Sequence, residues 1–144
     1  IESSADYGVE YTGIDGLTVG LAQGENNGAA NSLEITNMYA KYAMDAFTIG
    51  MTSSESDSEA TDADLDFTAM GISYAVSEEL SVSINSSTID YENSTLSDQD
   101  ATGISVSYVM GSMTIKAARN DVDNIAGAAS TNRSAYDLSL AFAF

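Results

Sequence analysis

The chain has 144 residues and carries 22 acidic side chains against 4 basic ones, a formal charge of -18, with 44% apolar residues. That balance excludes a phosphate-binding nucleic-acid interface, which needs clustered Lys and Arg, and the apolar share excludes a disordered acidic tail. The chain has no His and no Cys, which removes Ser-His-Asp and Cys-His catalysis, thiolate metal sites and disulfides.

Taken in chain order, the pattern is a period of two. Tyr7, Val9 and Tyr11 alternate with Gly8, Glu10 and Thr12, and Leu17, Val19 and Leu21 alternate with Thr18 and Gly20. Met38 to Met44, Phe47 to Met51, Ala69 to Val76, Leu80 to Ile84, Ile104 to Tyr108 and Met113 to Ala118 repeat it. In the last segment Tyr136, Leu138, Leu140, Phe142 and Phe144 share one face, and Asp137, Ser139, Ala141 and Ala143 share the other. Successive side chains of a strand point to opposite faces, so these segments predict nine β-strands, each with one apolar side.

The connections alternate between two kinds. The short ones are Ile14-Asp15-Gly16, Asp45-Ala46, Ser77-Glu78-Glu79 and Met110-Gly111-Ser112. The long ones are Ala22 to Leu33, Thr52 to Asp66, Asn85 to Asp100 and Asn120 to Arg133, rich in Ser, Asn, Asp, Glu and Gly. Short turns on one side and long loops on the other predict a transmembrane antiparallel up-and-down β-barrel. No run of about 18 apolar residues exists to form a membrane helix.

An internal repeat of one hairpin supports this. An aromatic residue precedes each short turn, at Tyr11, Tyr42, Tyr74 and Tyr108, and Phe144 closes the series, with spacings of 31, 32, 34 and 36 residues. Rings at one height match the aromatic girdle at a membrane interface. An odd strand count does not suit a barrel whose termini share one side, so the pattern predicts further strands before Ile1. The chain thus reads as the C-terminal portion, 1–144, of a single β-barrel domain.

Asp6-Tyr-Gly-Val-Glu-Tyr-Thr-Gly13 and Asp15-Gly-Leu-Thr-Val-Gly20 resemble strands of Gram-negative general porins of the alphaproteobacterial type. The ending Tyr136-Asp-Leu-Ser-Leu-Ala-Phe-Ala-Phe144 is similar to the porin C-terminal strand. The resemblance implies a 16-stranded barrel in the bacterial cell outer membrane, usually a homotrimer, forming a water-filled channel for passive diffusion of small hydrophilic solutes. It implies lipid and lipopolysaccharide as surroundings. It also implies that the barrel assembly machinery reads Tyr136, Leu138, Leu140, Phe142 and Phe144. The family's constriction loop lies in the N-terminal half, and this chain has no counterpart for it.

Parity places the charged residues Glu10, Lys41, Lys116 and Asp137 on the face away from lipid, as pore-lining candidates. Arg119 and Arg133 fall at strand ends near the long loops, where they either reach the pore mouth or, as is expected, pair with nearby acids. Acids lining the path would favour cations. The acidic stretch Glu55 to Asp66 is expected as a solvated external loop. Within it Asp57, Glu59, Asp62 and Asp64 form a weak Ca²⁺ candidate that lacks the spacing of an EF-hand. Neither Glu78-Glu79 nor any other constellation suggests an active site, so no enzyme is expected. Two alternatives remain at this stage: a soluble or surface-attached acidic β-sandwich, serving as an adhesin or Ca²⁺-binding module, and a barrel whose external loops are the functional part.

Overall fold

The computed structural model describes residues 3–28 and 32–143. Nine strands form one antiparallel sheet in strict sequence order: β1 Ser3–Ile14, β2 Leu17–Asn27, β3 Ser32–Met44, β4 Phe47–Ser58, β5 Leu65–Ala75, β6 Leu80–Tyr91, β7 Gln99–Met110, β8 Met113–Asp123 and β9 Arg133–Phe142. β1 and β9 are its edges. The tight turns lie where the sequence put them. Gly16 adopts φ +74°, a region open to glycine at little cost, and a β-bulge between Tyr11 and Ile14 absorbs the change in register. In the second turn Asp45 takes φ 50°, which Asp tolerates better than most residues.

Among the described residues there is no second layer. No hydrophobic side chain among them is buried, whereas Leu138, Tyr136 and Val9 are 78%, 77% and 67% exposed. The β-sandwich alternative is thereby overturned, because a sandwich must bury one face of each sheet against the other. Along β4, β5 and β7 the apolar residues are the exposed ones and their neighbours are half-buried. The sheet therefore curves with its apolar side convex and its small, polar side concave. An apolar surface this extensive is not stable in water. It suits hydrocarbon, where backbone groups must pair within the sheet.

The register shows how evenly the faces are sorted. On the convex side Leu17, Tyr42, Ile49, Ile72, Ile84 and Ile104 form one continuous row across six strands. On the concave side Lys41, Gly50, Gly71, Asn85, Gly103 and Asn120 form another.

The strands run well past the apolar band, and this corrects the long-loop expectation. Most of Ala22 to Leu33 belongs to β2 and β3, and Glu55 and Asp57 lie on β4 rather than in a loop. Only 59–64, 92–98 and 124–132 remain as connections on that side beside the β2–β3 link. In these extensions the two faces exchange character. Glu25, Glu34, Glu55, Asp57, Asp66, Asp90, Asp100, Asp121 and Asp123 continue the convex face. Leu33, Ile35, Leu65, Phe67, Ile89 and Val122 continue the concave one. A strand leaving lipid for water no longer needs an apolar exterior, so its alternation reverses without any break in hydrogen bonding.

Candidate functional site

The concave face is the candidate site. The register brings Glu10, Lys41, Lys116 and Asp137 onto it, opposite the apolar band. Asp6 and Arg133 join them, since β1 and β9 extend further than the clean alternation indicated. Between these charges most of the wall at the level of the apolar band is Gly, Ala, Ser and Thr. Ser83 and Ser105 bond to each other across β6 and β7 at 2.7 Å.

Two features of this wall were not singled out from sequence. Tyr39 lies flat over Gly20, so closely that a Cβ on Gly20 would overlap its ring, and its hydroxyl donates to the Glu10 carboxylate. Asn85 and Asn120 converge over Gly103: a Cβ there would overlap Asn85 Oδ1 and lie 2.7 Å from Asn120 Oδ1. Tyr39 was legible by parity against Tyr42, whereas Asn85 and Asn120, expected at the starts of long loops, lie on β6 and β8; small polar residues carry no periodic signal of their own.

Charge is distributed unevenly between the faces. On the strands of the concave face, Asp6, Glu10 and Asp137 balance Lys41, Lys116 and Arg133, so this part of the wall has no net charge. The acidic excess lies on the convex extensions and in the connections. The condition on which cation preference was expected, carboxylates in excess along the path, is not met on these strands. Side chains on the two faces end roughly 10 Å apart, beyond a Debye length of about 8 Å at physiological ionic strength.

Arg119 lies on the convex side, at the edge of the apolar band. It pairs with Asp121 at 2.9 Å, and its guanidinium sits 5.7 Å from the centre of the Tyr136 ring. Arg119–Asp121 is the one ion pair among the described residues. Lys41 and Lys116 have no ion-pair partner among the described residues.

The aromatic girdle candidates Tyr11, Tyr42, Tyr74 and Tyr108 all lie on the convex face near the short turns. Tyr74 stacks on Phe47 with centroids 4.5 Å apart. Tyr136, Leu138, Leu140 and Phe142 form the convex face of β9, and Phe144 lies outside the described residues. At the opposite edge of the band Tyr7 donates to Gln23, which donates to Glu34, so a ring in the apolar zone is tied to the acidic one above it.

The weak calcium candidate is not assembled. Among the described residues no group of three or more acidic side chains is arranged to hold a metal ion. Asp64 instead accepts from the Ser58 backbone N–H at 2.7 Å, and Glu59 accepts from the Ser32 backbone N–H at 3.1 Å. Asp64 thereby pins the ends of the 59–64 connection, and Glu59 ties it to the start of β3.

The geometry has close counterparts. The sheet overlays 98% of the chain on 46% of an engineered variant of the Rh. blastica porin, with TM-score 0.72 and 20% sequence identity. It matches a KdgM porin at TM-score 0.62 with 9% identity, covering 99% of this chain and 76% of that one. It matches a NanC porin at TM-score 0.70 with 8% identity, covering 99% and 79%. The chain therefore spans about half the length of the Rh. blastica porin. At these identities the likeness establishes the fold: a portion of a porin β-barrel. No curated protein matches the chain by sequence. The Gram-negative porin family model, however, matches residues 2–93, more than half of the sequence, and the chain belongs to the Gram-negative porin family.

Proposed function

We propose that this chain forms part of the wall of a water-filled channel through which small hydrophilic solutes and ions diffuse passively across the bacterial outer membrane. One observation carries the reading: a single sheet whose convex face is apolar and whose concave face is polar, with Lys41 and Lys116 on it and no ion-pair partner for either among the described residues. Water on the concave side solvates those charges, and hydrocarbon on the convex side removes the need for a protein core.

The channel works without chemistry. Transport depends on pore width and on the field of wall charges, here Glu10, Lys41, Lys116 and Asp137 with Asp6 and Arg133. The remaining strands, assembly as a homotrimer, contact with lipopolysaccharide and recognition of the β9 convex face by the barrel assembly machinery extend the same reading. The test is reconstitution of the full-length protein in planar bilayers. Stepwise ion conductance is expected; a folded protein that inserts and conducts nothing would refute the channel.

A further inference from the structure

The concave wall contains a cavity of ≈ 410 Å³ on the long-connection side, across β5 to β8. Phe67 and Val122 supply its apolar surface, and Asn85, Asn120 and Ser87 supply polar groups. Ala69 and Ala101 keep its floor low, and no charged residue lines it. Its size falls in the range of small-molecule sites, which pair an apolar surface with a few placed polar groups. Neither carboxamide has a side-chain hydrogen-bond partner among the described residues. Each amide thus offers one acceptor and two donors to whatever enters. Gly103 is what lets them meet, since a larger residue there would force them apart.

We propose that this cavity is a weak binding subsite for a neutral saccharide passing along the wall. The proposal rests on the channel reading and specifies one solute class for it. A pyranose ring presents C–H groups on one face and hydroxyls around its edge. Phe67 suits the first, and the converging amides with Ser87 suit the second. An anionic sugar would find no compensating charge in the cavity. The nearest lysine in the amide row, Lys41, stands three strands from Asn85, with Gly50 and Gly71 between.

The test uses the full-length protein in planar bilayers with maltohexaose added at the long-loop side. Sugar should interrupt the ion current in a saturable way. The half-saturating concentration should rise about tenfold for Phe67→Ala, and comparably for Asn85→Ala with Asn120→Ala. Phe67→Trp should keep or tighten the block, which separates loss of the ring from a failure to fold. Ser139→Ala, on the same face but outside the cavity, should leave the block unchanged. A channel that conducts while sugar never interrupts it, or one whose block is the same in Phe67→Ala, overturns the subsite and leaves the channel reading standing. Absence of conductance in the wild type overturns both.

Discussion

The hydroxyl of Tyr39 donates to the carboxylate of Glu10 across the concave face, with the Tyr39 ring laid over Gly20 between them. One residue thereby holds an acid in place and keeps its own bulk out of the lumen. Gly20 makes this possible, because any Cβ there would collide with the ring. Gly20→Ala is expected to lever the ring into the pore and lower single-channel conductance. Adding Tyr39→Ala should restore it. An unchanged conductance in Gly20→Ala would show that the ring does not border the path.

Val106 and Ser105 are neighbours on β7 and face opposite ways, Val106 toward the apolar band and Ser105 toward the concave wall. Val106→Arg should destabilise the folded barrel by about 2–4 kcal/mol, the cost of a cation near the lipid midplane. Ser105→Arg should cost far less, since its side chain reaches water. Denaturant titration of both variants in lipid vesicles measures the difference. Equal costs would contradict the assignment of faces.

The convex extensions place like charges directly opposite one another. Glu55, Asp66 and Asp90 form one row, and Glu25, Glu34 and Asp57 another. Each opposed pair is unfavourable by about 0.2–1 kcal/mol, so Asp66→Asn, which relieves two pairs, should raise stability at neutral pH. Urea midpoints for the wild type and the variant read this directly, and a lower midpoint would count against it.

Asp90, beyond the apolar band and exposed, has its carboxyl pushed above the ordinary 3.8 by local desolvation first, then by the nearby carboxylates of Asp98 and Asp66. A folded-state value above the unfolded one means the folded protein holds the proton more tightly. The resulting stability is complete below about 3.8 and is lost as pH rises through the raised value. Stability should therefore decline over that window in the wild type, and more weakly in Asp90→Asn. Equal slopes for the two proteins would show that Asp90 does not contribute.

Lys41→Glu combined with Lys116→Glu moves the concave wall by -2 at each site, from balance to -4. The double variant should shift the reversal potential in a salt gradient toward cation preference. Neutralising Asp66 and Asp90 on the convex face should leave that potential near the wild-type value, because sheet thickness and salt screen them from the lumen. A shift as large as that of the lysine variants would place those acids on the conducting path.

How much of this was legible depended on whether a signal was local. Strand alternation is local, so the nine strands, the four tight turns and the facing of Glu10, Lys41, Lys116 and Asp137 follow from parity alone. The strand ends were lost where the alternation reverses, because the apolar residues change sides once the convex face leaves lipid and no longer continue the same stripe. Only pairing across strands shows that Glu55, Asp57 and Asp66 stack in rows outside the wall. Pairing also shows that Asn85 and Asn120, 35 residues apart in sequence, meet over Gly103, and that Tyr39 reaches Glu10. Composition counted the charge; register alone decided which side of the wall carries it, because a one-residue slip would exchange the two faces.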